Sequence, residues 1–370
     1  LAAIGVLAAC GGSAGATTSA ASGSPSVAAS ASAALTSATA STAASSSAAG
    51  SATTSAAGPA TVASSAAAPA GKALDLNFYY PVGVSGPLAK IVDGLTTQYS
   101  QANPSTKITP IYSGSYLDTI AKVQQQIQAG FPPDVAIINA AAIYTLTDSN
   151  SILALDSLIK SSGGDAYIND FFPAFLMNSQ LSGKTWSIPF QRSTLIAYYN
   201  KDMFQKSGLD ANTAPKSWDD VVQAGKKLTQ KDSGGKVSVW GVGFPSDGSN
   251  YWEFQALAIE AGQNVFKNDA GNAVYFNAQP TVDALQFLVD LSHSDSVMQS
   301  GTVSWGTLPT DFAAEKVGLI YHSTGSLTSV LTSAKFQVGT AFCPAGKQFG
   351  TPTGGGDLYL FQASPSDHQA

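Results

Sequence analysis

The apolar positions of this chain change period along its length, and the changes mark out its elements. Leu74–Tyr80 (LDLNFYY) alternates and then turns aromatic, which predicts a strand. Leu88, Ile91, Val92, Leu95 and Tyr99 then recur at helical spacing until Asn103-Pro104 ends the pattern. Ile108–Tyr112 predicts a second strand, and Ile120, Val123 and Ile127 one face of a helix that Gly130 closes. Pro132-Pro133 introduces Asp134–Ile138, a short apolar run of the kind buried in a sheet covered on both faces. Strand, helix, strand, helix, strand is the order of an α/β fold with an open, mostly parallel sheet. In such sheets ligands meet the loops at the carboxyl ends of strands. The loop after Tyr80, Tyr116 and the run Asn139–Ala142 are therefore pocket candidates. Tyr116 has a second reading, as a hydrophobic staple on its own helix.

The stretch Trp186–Asp202 (WSIPFQRSTLIAYYNKD) organises the rest. Leu195–Tyr199 predicts a strand, and Asn200-Lys201-Asp202 a turn into a short helix closed by Gly208. Ser217-Trp218-Asp219-Asp220 reads as a capping box opening a helix through Leu228, and Val237–Gly243 as a strand. Asn250-Tyr251-Trp252 opens an apolar helix through Leu257 and Ile259. Pro280–Leu291 forms another, with Val282, Leu285, Leu288 and Val289 inward. Val317–Tyr321 predicts a strand leading through His322-Ser323-Thr324-Gly325-Ser326 into a helix from Leu327. Val338–Phe342 and Leu358–Phe361 predict the last strands. Between them Thr353-Gly354-Gly355-Gly356-Asp357 serves close backbone approach to a ligand, a hinge or a turn.

Composition changes the picture at the amino terminus. The first 71 residues contain no charged and no aromatic side chain. Leu1–Ala9 is apolar and runs into Cys10-Gly11-Gly12, which resembles the lipobox of a bacterial lipoprotein signal, with Cys10 the residue lipidated. Residues 11–71 are almost wholly Ala, Ser, Thr and Gly, a composition that buries too little surface to offset its ordering entropy and predicts a disordered tether. Lipidation implies anchoring to the outer face of a bacterial membrane, in the periplasm or at the cell surface, without a spanning helix. The folded body, from Lys72 onward, is long enough for two lobes.

Net charge is −6 with 11% charged residues, which excludes the basic stripe that nucleic acid requires. Cys10 and Cys343 are the two cysteines, so disulfide stapling and C-x-x-C motifs are absent once Cys10 is lipidated. His293, His322 and His368 lie far apart without metal-ligand spacing. Gly11–Gly15 spells G-x-S-x-G, and Gly183-Lys184-Thr185 the tail of a P-loop, but neither has the flanking elements its chemistry needs. No catalytic residue, cofactor or metal site is expected. Arg192 is the only arginine. Its planar fork suits a carboxylate or phosphate of a ligand, or an internal ion pair with one of the chain's own acids. The hydroxyl-rich turn at Ser323 suits an anion or ordinary helix capping. Tyr79, Tyr80, Tyr251 and Trp252 are core residues or a stacking surface for a sugar ring.

From Leu74 onward the chain resembles the extracytoplasmic solute-binding proteins of ABC importers, of the maltose-binding-like type and nearest their glycerol-3-phosphate-binding branch. The marks, in order, are Ala102-Asn103-Pro104, Gly114-Ser115-Tyr116, IPFQRST with YYNKD, the Gly208–Asp220 run ending SWDD, Ser323–Leu327 (STGSL) and Thr353–Gly356 (TGGG). The resemblance implies a two-lobed fold of type II. Each lobe would be a mostly parallel sheet flanked by helices, with several chain crossings as the hinge. Residues 72–192 with 342–356 would form the first lobe; 193–341 with 357–370 would form the second, cut short at its C-terminus. It also implies a monomer that carries a small-molecule ligand to the permease subunits of an importer and performs no reaction on it. Ligand contacts carry over to Tyr116, Ser193, Ser323 and Gly355, to which Arg192, Tyr251 and Trp252 are added from the residues themselves. An acidic contact of that branch falls on Ala140, and two further contacts lie in a region beyond Ala370. The expected ligand is glycerol-3-phosphate or a related phosphorylated polyol, then a sugar or oligosaccharide. A lipid-anchored hydrolase and a surface adhesin or chemoreceptor partner are the rival readings.

Overall fold

The computed structural model describes residues 73–82, 87–247, 251–267, 273–362, 364, 365 and 368. Cys10 and the tether lie outside the described residues. Five elements come first: β1 (Leu74–Tyr80), α1 (Leu88–Ala102) and β2 (Thr106–Tyr112), then α2 (Tyr116–Gln128) and β3 (Val135–Asn139). Short helices follow, α3 (Ile143–Asp148), α4 (Asp156–Ser161), α5 (Asp165–Ile168) and α6 (Pro173–Leu176), with a small hairpin, β4 (Gln180–Leu181) and β5 (Lys184–Thr185). A single strand of 13 residues, β6 (Ile188–Asn200), then runs into α7 (Lys201–Lys206). The remainder is α8 (Trp218–Leu228), β7 (Gln230–Lys231), β8 (Val237–Gly243), α9 (Tyr251–Glu260), α10 (Gln279–Ser292), α11 (Leu308–Ala313), β9 (Val317–Ser323), α12 (Leu327–Ser333), β10 (Val338–Ala341) and β11 (Thr353–Leu360).

Local chemistry accounts for several boundaries. Ser115 and Ser217 each close a capping box, their hydroxyls accepting from the N–H of Asp118 and Asp220 while those carboxylates accept from the cap N–H. Of the three readings open for Thr353–Asp357, close backbone approach, a hinge or a turn, the turn is not what forms, since β11 has already begun at Thr353. Its glycines are paired rather than looped.

The sheet order is β2-β1-β3-β11-β6-β9-β8-β7, with β10 also on β6. Pairing is parallel among β1, β2 and β3 and between β8 and β9. The strands that join these blocks enter antiparallel, β11 against β3 and β6, and β9 and β10 against β6. The parallel character expected of the sheet is thus kept where helices cross over between strands and lost where the chain returns. The two ends of β6 have different company: residues 188–194 pair with β11, whereas Leu195–Tyr199 pair with β9. Core clusters divide the same way. Val123, Ala136, Ile138, Tyr359 and Phe361 share one, and Leu195, Val221, Leu257, Leu319 and Cys343 another. Tyr359 and Phe361 therefore pack with the β1–β3 block and Cys343 with the β8–β9 block, where the resemblance implies the opposite lobe for each of these three residues.

On α10 the buried face differs from the expected one, although Leu288 does pack against the core. Val282, Leu285 and Val289 are exposed, while Thr281, Ala284, Phe287 and Leu291 are buried. The helix offers two apolar stripes, and the smaller residues Thr281 and Ala284 let it lie close to its neighbours. Among the described residues no helix is long and apolar enough to cross a membrane.

Candidate functional site

The site is built where β3, β11 and β6 run side by side. Gly356 of β11 is in register with Asn139 of β3 on one side and Gln191 of β6 on the other; Gly354 is in register with Ser193. Residues in register share a face, and residues two apart on one strand share it too. Asn139, Gln191 and Ser193 therefore point to one side of the sheet, across strands whose glycines carry no side chain. Aromatic residues fill the space above those glycines. A Cβ on Gly356 would lie 2.8 Å from the Tyr116 ring, and one on Gly354 2.8 Å from the Trp252 ring. Gly355 between them has φ +117°, and a Cβ there would meet the Gln191 carbonyl oxygen. Only glycine fits that backbone.

Hydrogen bonds tie this row together. The Tyr116 hydroxyl donates to Gln191 Oε1 at 3.0 Å, and the Tyr251 hydroxyl, from the first turn of α9, donates to Asn139 Oδ1 at 3.0 Å. Burial raises both phenols above their ordinary pKa. At Tyr116 the nearby Arg192 charge pulls the other way, and at Tyr251 the bond to Asn139 does, so both remain proton donors at neutral pH. Trp252 is buried and leans on Trp305, whose ring stacks on His322 with centroids 3.8 Å apart. Tyr251 is 49% exposed, which leaves it accessible. Tyr116, Ser193, Tyr251 and Trp252 are thus brought together, with Gly355 beneath them.

Arg192 goes elsewhere. As the residue between Gln191 and Ser193 it projects from the opposite face of β6. There its guanidinium meets Asp357 at 3.2 Å, Asn178 Oδ1 at 2.6 Å and Thr353 Oγ1 at 3.0 Å, while Ser179 and Ser187 donate to the other Asp357 oxygen. The side chains of the pair are 3% and 0% exposed. Of the two readings open for this arginine, the internal ion pair is the one the chain builds. Ser323 also differs from the ligand contact expected: it is buried, and its hydroxyl caps the following turn by accepting from Gly325 N–H at 3.0 Å. Tyr79 and Tyr80 lie in the core clusters rather than on a stacking surface. Asn139 falls within the Asn139–Ala142 run expected at the pocket, whereas no local feature singles out Gln191. Extending the β6 strand back to Ile188 and applying its two-residue period would have paired Gln191 with Ser193 and set Arg192 apart.

No group of three or more His, Cys, Asp or Glu among the described residues is arranged to hold a metal ion. Two buried carboxyls stand out. Burial pushes Glu253, on α9, up to about 9, and Glu260 up to about 8 against the pull of its bond from Trp218. Burial also lowers His322 to about 4, so it is neutral between Trp305 and Ser326.

This arrangement, two blocks of α/β structure sharing one long strand and a polar row at their junction, is that of the two-lobed type II binding proteins. A Listeria monocytogenes ABC substrate-binding protein solved with cycloalternan superposes with TM-score 0.68 at 22% identity, covering 80% of this chain and 73% of that one. The UgpB of Mycobacterium tuberculosis solved with glycerophosphocholine superposes with TM-score 0.70 at 22% identity, covering 80% and 74%. The profile of the bacterial extracellular solute-binding proteins matches residues 84–370, and the chain belongs to that family. Among curated relatives, the sn-glycerol-3-phosphate-binding periplasmic protein UgpB of Yersinia pestis bv. Antiqua is 28% identical over 265 residues, 70% of this chain and 59% of that protein. The Salmonella typhimurium UgpB is 27% identical over 293 residues, 77% and 66%. The chain thus spans about three fifths to two thirds of the length of these relatives.

Proposed function

We propose that this protein is the monomeric, lipid-anchored solute-binding component of an ABC importer. It closes on a small hydroxyl-rich solute between a β1–β3 lobe and a β8–β9 lobe and hands it to the permease. The observation that carries this reading is the row Asn139, Gln191 and Ser193 at the junction of the two blocks, walled by Tyr116, Tyr251 and Trp252. Such a site offers uncharged hydrogen bonds and aromatic faces, the means by which a ring of hydroxyls is held. With the lone arginine neutralised by Asp357, a neutral sugar or oligosaccharide fits this geometry better than a phosphorylated polyol. Glycerol-3-phosphate or a related phosphoester is the second reading, supported by the UgpB relatives, with its phosphate on uncharged donors. Anchoring through Cys10 completes the picture; Cys10→Ser should release the protein from the membrane fraction.

The deciding experiment titrates the full-length protein with maltose, trehalose, glycerol-3-phosphate and glycerophosphocholine while following tryptophan fluorescence. Trp252 stands at the site and reports closure. Saturable quenching or enhancement by a sugar is expected; saturation by a phosphoester alone reverses the order of the two ligands. Conversion of any of these compounds to product would overturn the reading as a binding protein.

A further inference from the structure

The orientation of two carboxamides carries an inference that rests on the reading above and deepens it. Asn139 and Gln191 stand in register on either side of Gly356, so their Cα atoms are about 9.5 Å apart, two strand spacings. A carboxamide accepts through its oxygen and donates through its nitrogen. Asn139 Oδ1 accepts twice, from the Tyr251 hydroxyl at 3.0 Å and from the backbone N–H of Ala141 at 2.9 Å. A backbone N–H can only donate, so the oxygen and nitrogen of this side chain cannot change places. Gln191 Oε1 is taken by Tyr116 at 3.0 Å. Among the described residues, no bond is donated by the amide nitrogen of either side chain. Four N–H donors are left on the face that bears Ser193, with a side-chain-free strand between them.

We propose that Asn139 and Gln191 are specificity-determining residues, a pair of tyrosine-held carboxamides whose N–H groups grip two acceptor oxygens of the solute. Tyr116 and Tyr251 act as positioning residues: they do not need to touch the solute, because holding each amide oxygen turns its nitrogen outward. The chemistry selected is a solute presenting two acceptor oxygens, with no formal charge required. Tyr251 belongs to α9, which packs with the β8–β9 block, whereas Asn139 ends β3, so its hydrogen bond adds a second hold, from the other block, on an oxygen that Ala141 already fixes.

The test follows the side-chain NH2 signals of Asn139 and Gln191 in full-length protein labelled at Asn and Gln, during titration with maltose and with glycerol-3-phosphate. Both signals should shift and exchange more slowly with water at saturation. Asn139→Asp and Gln191→Glu keep the oxygen that each tyrosine needs and remove two donors. Each should weaken maltose binding about three- to tenfold, the loss of one neutral hydrogen bond or so. Glycerol-3-phosphate should suffer more, since a carboxylate repels it. Tyr251→Phe should cost less than Asn139→Asp, because Ala141 still holds the oxygen. Binding of either probe that leaves both signals unmoved, or that both acidic variants retain at full strength, overturns the role of the carboxamides and leaves the transport reading intact. No response to either probe in fluorescence or in the amide signals overturns the proposed ligand classes, and this inference with them. Should a variant fail to fold, the wild-type amide signals still decide.

Discussion

Changing Asp357 to Asn removes one charge from a pair whose side chains are 3% and 0% exposed, and leaves the Arg192 guanidinium buried with only neutral acceptors, Asn178 and Thr353. Separating a buried pair in this way costs about 3–5 kcal/mol, because the remaining charge has lost its compensation without regaining water. The loss should fall in the upper part of that range. Ser179 and Ser187 both donate to the altered group, at 2.8 and 2.9 Å, and among the described residues Arg192 Nε already has no hydrogen-bond partner. With a urea slope of about 3 kcal/mol per molar, the midpoint should drop by roughly 1.3–1.7 M, read by fluorescence and circular dichroism together. Arg192→Met added to Asp357→Asn removes the stranded charge, and the double variant should recover at least about 1 kcal/mol relative to Asp357→Asn alone. A loss below about 1 kcal/mol, the scale of an exposed pair, would refute the reasoning. So would Arg192→Met that abolishes solute binding with an unchanged midpoint, since the arginine would then be serving the ligand.

Other consequences can be measured in the same protein. Glu253 is 3% exposed, and its folded pKa, about 9 against an ordinary 4.5, means the folded state holds a proton the unfolded state releases. Stability should therefore fall as pH rises from 4.5 to 9, and Glu253→Gln should remove that fall, gaining at most about 3 kcal/mol at pH 7. A gain in Tm that is the same at pH 5 and pH 8.5 would contradict it. His322, lowered to about 4, works in the opposite sense. The unfolded chain takes up the proton first, so stability present above pH 6.5 should be lost as pH falls toward 4, and His322→Gln should flatten that limb of the Tm profile. Gly355→Ala should cost at least about 1–3 kcal/mol from its dihedral alone, with more from the overlap with the Gln191 carbonyl, and should lower the urea midpoint accordingly. A midpoint equal to wild type would show that the strand tolerates a Cβ there.

Much of the architecture was legible in the chain because it depends on neighbours close in sequence. The β1 strand is Leu74–Tyr80 as its alternation predicts, and Ser217 caps its helix through Asp220, three residues on. Strand and helix alternation to Asn139 likewise needs only local period and turn residues. Side-chain fate at the site was another matter. Arg192 finds Asp357 165 positions away, and no local rule says which of the chain's carboxylates will stand behind it. The period along β6 was hidden because Ile188–Arg192 carries no hydrophobic alternation, so its strand was read only from Leu195.

The α10 stripe shows the same limit: its two apolar faces are equally periodic, and the choice between them belongs to what packs against the helix. What the order and spacing of elements determined was an α/β fold, since they survive any detail of packing; the two-lobed binding-protein class is what the chain's resemblance to the solute-binding proteins implies. Which polar groups share the face of the candidate site was decided by register between β3, β11 and β6, a relation among segments as far apart as Asn139 and Gly356. A shift of one residue in that register would turn Arg192 to the site and Gln191 away, because neighbours on a strand point to opposite faces.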